Sequence, residues 1–464
     1  MPEDMINFNL VAYPAAQLAS RIGRLCRTGR KPIQTPHYVP ITSRGIVPHI
    51  THDMMRDHLS LSSLYVGLED FIERTSLKET PPIYNTPTSP SESALRNFLV
   101  HDDDTLLVLG PRRIPPVPAP APNSSNSITV LTSVGYQQLV LENYIEAIQK
   151  LQPDIAIGMA DVVLGREPGV KRRARMIDRT HAWTQGTFNA LFGTEDKLKA
   201  NSNISFFAPL LPLDLELQGV YLQELAEDMN NRLSGLALFD PKTVSIIPEP
   251  IQKLARLSLA EPQTPQKVLS EVALGIDLSA IPFITTASDA GMALDFVFPT
   301  PSSQPISSPL PLAIDVWSPV HDTDVSPLVP GCQCHTCQNF HRAYLRHVLN
   351  AKEMVAWTLL QIHNYHTVDN FFAAIRASIQ SGTFEADVQT FTQTYEPEFP
   401  EQSGQGPRLR GYQFKTGAGE KVNPKAFGRL DEAVNLFTES QSSVVTPDAE
   451  AEELEERGFA EKTK

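Results

Sequence analysis

Short apolar runs alternate with amphipathic helical stretches along this chain, and that alternation limits its fold more than any other feature. Residues 139–151 place Leu141, Tyr144, Ile148 and Leu151 on one helical face, and Gln152-Pro153-Asp154 then breaks into the apolar run 155–159. Met176, Thr180 and Trp183 mark a second helical stripe, followed by the strand-like run 204–208. Residues 219–233 read as helix again and lead into the apolar run 235–239. In 264–273, Pro265 stands at a first-turn position behind a Thr264 cap, and Gly275 stops the helix. Strand–helix units of this length predict a parallel sheet. Over roughly 350 residues the expected architecture is α/β, a (β/α)8 barrel of TIM type.

Charge narrows the function. The 464 residues carry 39 Lys and Arg against 53 Asp and Glu, a net charge of −14. A dominant nucleic-acid surface needs the opposite balance, so any such contact has to be local. The candidate is Lys171, Arg172, Arg173 and Arg175, with Arg179 one turn further on; the plain alternative is a solvated helix face. No stretch approaches the roughly eighteen unbroken apolar residues of a membrane span, and MPEDMINFNL places two acids before any base, unlike a secretory signal. Residues 18–31 are basic and acid-free, as in a transit peptide, but run directly into strand-like sequence. The expectation is a soluble intracellular protein.

The 39 prolines gather in breaks between units. Residues 114–127 and 299–311 are Pro/Ser-rich and read as exposed insertions in a barrel spanning 1–325. A zinc-binding subdomain with a long helix is expected over 326–380 and a variable extension over 381–447, polar at 396–424 with a short helix at 430–437. An acidic, disordered tail is expected over 448–464.

The strongest chemical signal is Cys332-x-Cys334-x2-Cys337, three of the four cysteines within six residues. Such spacing suits a metal in a reducing compartment better than a disulfide framework. With His363 as fourth ligand the set is Cys3His, a closed tetrahedral site for structural Zn2+. The intervening segment 338–365 reads as one helix, striped at three- and four-residue steps by Tyr344, Val348, Val355, Leu359 and Ile362 apart from one skipped turn. A helix of that length returns His363 to the cysteines only if the preceding loop folds back along it, so His335, His341, His347 and His366 are rival ligands. A second metal reading starts from His49 and His52, but no later His/Asp set completes a hydrolase site. Trp183 and Trp357 sit on apolar helix faces and read as core or interface anchors.

The cysteine block with Arg342-Ala343-Tyr344-Leu345, His363-Asn364 and Arg376 resembles the zinc signature of the tRNA-guanine transglycosylases. Residues 19–25 (ASRIGRL) with 35–40 (TPHYVP), 132–137 (TSVGYQ), 152–159 and 266–278 (QKVLSEVALGIDL) are similar to further family blocks in the same order, over about residues 5–380. The resemblance implies a barrel with an inserted zinc subdomain and one structural Zn2+ per chain.

The departures are as informative. The family's nucleophilic aspartate, which holds a covalent ribosyl intermediate, falls on Ala280, and its two base-recognition aspartates fall on Thr132 and Ala160. A slip of one residue would bring Asp161 to the second of these. The family's tRNA-contacting arginines fall on Thr286 and Asp289. This pattern resembles the family's non-catalytic paralogue, which pairs with a catalytic subunit in a eukaryotic heterodimer that exchanges wobble guanine for queuine in tRNAs with GUN anticodons; 45–54 (GIVPHITHDM) is similar to that paralogue's N-terminal block. Such membership implies tRNA held through the complex, a dimer surface at the zinc loop and following helix, a homodimer when the partner is missing, and a cytoplasmic location or a peripheral one at the mitochondrial outer membrane. Two other readings stay open at this stage: an active glycosyl-transferring or nucleoside-hydrolysing enzyme using Asp277 or Asp289, and a scaffold no longer tied to tRNA modification.

Overall fold

The computed structural model describes residues 5–11, 19–72, 80–89, 92–119, 122–132, 135–301 and 308–407. The helix expected at 430–437, the acidic tail, and parts of the polar stretch (408–424) and of both Pro/Ser-rich stretches (120–121 and 302–307) lie outside the described residues.

Eight parallel strands follow one another around a barrel: β1 (His37–Val39), β2 (Ser63–Gly67), β3 (Leu106–Gly110), β4 (Ile155–Ile157), β5 (Ser205–Leu210), β6 (Leu233–Leu238), β7 (Ala255–Ser258) and β8 (Leu278–Ala280). β8 pairs with β1 through Leu278 and His37. The ring closes just past β1, where Tyr65 N donates to Pro40 O at 2.8 Å and Thr42 N to Tyr65 O at 3.1 Å. The (β/α)8 expectation holds. Every residue of β2, β3, β5 and β6 is buried, which is why these strands read as continuous apolar runs rather than alternating ones. The period of two still sorts them: Tyr65, Val108, Phe207 and Ala237 fill the interior, while Val66, Leu107, Phe206 and Leu236 face the helical layer. Filling is tight, since a Cβ at Gly235 would stand 2.4 Å from the Phe207 ring.

The N-terminal end of the barrel is floored by an antiparallel sheet, Asn7–Leu10, Gly23–Cys26 and Ile33–Thr35. Two carboxylates at the entries of barrel strands tie this floor down. Asp277, just before β8, binds Arg21; Asp154, just before β4, binds Arg27, Arg30 and Arg96. Three bases of the acid-free stretch 18–31 are thus engaged with the barrel floor, which gives its basic composition a structural role.

The connecting helices include Leu141–Leu151, Val170–Phe192, Leu215–Glu227 and Pro265–Ala273. The third begins earlier than the pattern predicts, because Asp214 caps it by accepting Leu217 N. Thr264 does occupy the cap position of the fourth, although its hydroxyl makes no capping bond. Trp183 and Trp357 are both buried, as expected of anchors.

Glu271, on that fourth helix, is buried against the barrel and accepts a 2.8 Å hydrogen bond from Ser279 Oγ. Burial pushes its carboxyl from 4.5 up to about 7. The folded state therefore holds this proton more tightly than the unfolded chain. The resulting stability is fully present below pH 4.5 and is lost as pH rises through about 7. Glu271→Gln is expected to flatten that part of the stability–pH profile and to gain about 2–3 kcal/mol relative to the parent above it. Parallel profiles by urea unfolding would contradict this.

The predicted single helix over 338–365 is instead three: His335–Asn339, Arg342–Asn350 and Met354–Ser381. His341 starts the second by accepting Tyr344 N on its ring nitrogen, and Lys352 breaks the chain at φ +55° before the third. The reversal lays Arg342–Asn350 back along Met354–Ser381. Val355, placed by the pattern on the apolar stripe, is 40% exposed as a result.

Candidate metal centre and barrel mouth

The fold-back brings His363 to the cysteines. Gly331, at φ +81°, turns the chain into Cys332, and Cys334 caps the short helix His335–Asn339, its Sγ accepting Cys337 N at 3.3 Å. His363 lies fully buried within Met354–Ser381. Its Nε2 donates to the Leu294 carbonyl at 2.9 Å, which leaves the Nδ1 lone pair directed at the sulfurs. Nδ1 stands 3.7, 3.5 and 3.4 Å from the Sγ atoms of Cys332, Cys334 and Cys337. A tetrahedron with ordinary zinc–sulfur and zinc–nitrogen bonds has an S···N edge of about 3.6 Å. The four donors thus fit one tetrahedral cation and leave no position open.

Hydrogen bonding among the sulfurs pushes the Cys334 thiol far above its ordinary range and the Cys332 thiol far below it, so one sulfur ionises at its neighbour's expense. The neighbouring Asn364 anchors the helix to strand Met292–Leu294, donating to Met292 O at 3.0 Å and accepting Leu294 N at 2.8 Å. The rival histidines stand elsewhere. His335 stacks on His58 with ring centres 4.0 Å apart, His341 is a helix cap, His347 is exposed, and His366 lies outside the four-residue cluster. His49 and His52 form no metal set among the described residues: His49 Nε2 meets Asp289 Oδ1 at 2.5 Å and His52 Nε2 donates to Leu99 O at 2.7 Å.

At the other end of the barrel from its floor, Ala280 ends β8 and packs within the barrel interior. Its methyl stands where the family resemblance puts a nucleophile. Ala160 lines a cavity of about 270 Å³ with Tyr65, Ile157, Leu259 and Glu261. Thr132 ends a hairpin strand, its hydroxyl donating to Gly135 O at 2.9 Å.

None of the substitute carboxylates is available in that cavity. Asp277 lies on the floor, about 10 Å along the strand from Ala280, holding Arg21 and accepting Arg256 N at 2.8 Å. Asp289 is held by His49, and Thr286 bonds back to Pro282 O within its own helix. Asp161 is fully buried and held by Arg172, by Arg179 at 3.1 Å and by Asn123 at 2.7 Å. Asp277→Asn is expected to cost about 3–5 kcal/mol, because it leaves the buried Arg21 guanidinium without its counter-charge. Chemical denaturation reads this directly, and an unchanged midpoint would refute the assignment of Asp277 to the floor.

The basic cluster divides. Arg172 turns inward to Asp161, while Lys171, Arg173 and Arg175 remain exposed, Arg173 bonding to Pro168 O and Arg175 to Lys171 O. Sequence reading did not single out Glu261. Burial pushes its carboxyl up to about 7, and no hydrogen bond reaches that carboxyl among the described residues. It lies three residues past the C-terminal end of β7, where barrel sites are built; recognising 255–259 as a strand would have pointed to it.

Comparison with known proteins agrees with this arrangement. A family model described as queuine tRNA-ribosyltransferase matches residues 17–397. The chain is 37% identical over 385 residues to the queuine tRNA-ribosyltransferase accessory subunit 2 of Schizosaccharomyces pombe, covering 83% of each chain. It is 26% identical over 383 residues to the protein of that name from Culex quinquefasciatus, covering 78% of this chain and 85% of the relative. For that of Anopheles gambiae the identity is 25% over 372 residues, covering 76% and 82%. No helix among the described residues is long and apolar enough to cross a membrane.

Proposed function

Because this chain belongs to the queuine tRNA-ribosyltransferase family, we propose that it serves as the accessory subunit of a transglycosylase heterodimer and contributes no nucleophile of its own. One observation carries the reading. The inward position at the end of β8 is Ala280, and Asp161, Asp277 and Asp289 are each engaged by Arg or His. Glu261, which shares a cavity with Ala160, is half-buried with its carboxyl pushed up to about 7, which favours the neutral acid over a nucleophilic carboxylate. A methyl group cannot attack a ribose carbon. The relatives' shared name, accessory subunit, supports a catalytic partner of the same family, with guanine-to-queuine exchange in tRNA carried out by the complex.

The metal in this reading is Zn2+, one per chain, held by Cys332, Cys334, Cys337 and His363. It fixes the fold of the 326–380 region and takes no part in chemistry. The exposed Lys171, Arg173 and Arg175 supply tRNA phosphate contacts alongside the partner's own.

Mixing the purified chain with its catalytic paralogue and measuring mass by light scattering tests the pairing. A one-to-one complex is expected, replacing any homodimer of this chain. Two non-interacting species would contradict the proposal and favour a scaffold with other partners.

A further inference from the structure

We propose a second site on this barrel: a cradle for a phosphate ester, formed by Arg112, Arg166 and Arg172 at the C-terminal mouth. The three guanidiniums come from different segments: Arg112 from the turn after β3, Arg166 from the loop after β4, and Arg172 from the first turn of Val170–Phe192. All three residues line a cavity of about 260 Å³ that Pro118, Pro122 and Val162 also wall. Loops at this end of a parallel barrel are the usual place for phosphate recognition.

The cradle is braced from beneath. Asp161 holds Arg172 by both terminal nitrogens and also binds Arg179. Asn123 donates to Asp161 at 2.7 Å and accepts Arg112 Nη2 at 3.2 Å, linking two of the three arginines through one network. The carboxylates acting on these cations are Asp161 and, on Arg112, Glu69; against Arg112, Arg166, Arg172 and Arg179 they leave a surplus of positive charge. Arg166 has no hydrogen bond or ion pair among the described residues. The segment 164–179 carries six bases against two acids in a chain of net charge −14. The first turn of Val170–Phe192 contains no acid and no side-chain cap, an arrangement its dipole disfavours unless an anion is near. Forked guanidiniums on a braced frame suit the tetrahedral oxygens of a phosphate better than isolated lysines do.

The ester arrives either in an RNA backbone or as a free nucleotide, and the test separates the two. The full chain is titrated into a fluorescein-labelled RNA hairpin by anisotropy, with inorganic phosphate and guanosine 5′-monophosphate as competitors. Arg166→Ala is expected to weaken hairpin binding about tenfold with an unchanged melting curve, and Arg112→Lys, which keeps the charge and loses the fork, to weaken it comparably. Lys199→Ala removes an exposed charge that lines no part of the cavity and is expected to leave binding unchanged. Competition by the mononucleotide assigns the site to free nucleotides, and hairpin binding without such competition assigns it to RNA backbone. The cradle is overturned if the parent chain binds none of the probes, if Arg166→Ala and Arg112→Lys bind as the parent does, or if Lys199→Ala weakens binding as much as Arg166→Ala. Because no exchange reaction is read, failure here leaves the accessory role to be judged by its own experiments.

Discussion

Cys337→Ser is expected to abolish zinc binding and to lower the unfolding midpoint by about 10 °C or more. The cysteine closes a site whose four donors come from two distant parts of the chain, the loop 332–337 and the middle of Met354–Ser381. Without the cation, three sulfurs and an imidazole are crowded together in a largely buried space with no common ligand to hold them. The surrounding packing of Val316, Leu328, Leu345, Trp357 and Leu360 depends on that closure. Excess chelator is expected to bring the parent down to the midpoint of the variant. Cys26→Ser, outside the cluster, is expected to shift it by no more than about 2 °C. Metal content by atomic emission and calorimetric melting check both statements; a Cys337→Ser protein that keeps its zinc and its midpoint would refute the site.

Guanine exchange by the chain alone is expected to lie about 10^4–10^6-fold below that of its mixture with the catalytic paralogue, the span that loss of a catalytic nucleophile commonly produces. Ala280 offers no attacking atom. Asp277 faces the floor, Asp161 is held by two arginines and Asp289 is held by His49. Ala280→Asp is expected to restore little of the activity, because Thr132 and Ala160 still lack the carboxylates that the family resemblance places on the base. Turnover by the chain alone at the rate of the mixture, measured with radiolabelled guanine, would contradict this.

The alternation of apolar runs and amphipathic helices was enough to reach the barrel, because buried parallel strands are continuous apolar segments whatever their neighbours. The shorter strands were harder to find. β7 is four residues long and contains Arg256, whose charge hides the strand until Asp277 appears beside it in space. The single helix over 338–365 failed for a local reason: the apolar stripe skips one turn between Val348 and Val355, where Lys352 reverses the chain, but a seven-residue gap keeps the helical period and so reads as one helix. That break also decides the fourth metal ligand. Spacing alone left five histidines in contention, and only the fold-back and the Leu294 carbonyl select His363. Glu261 and the pairing of Asp161 with Arg172 and Arg179 depend on loops at the barrel mouth, where side chains distant in sequence meet and no periodicity announces them.

The most direct test of the account asks which subunit carries the reaction. The two chains are mixed with a radiolabelled GUN-anticodon tRNA without free base, the covalent ribosyl intermediate is trapped by denaturation, and the labelled protein is identified by mass. The account predicts label on the catalytic paralogue alone. Label on this chain, lost on changing Asp277 or Asp289, would contradict it.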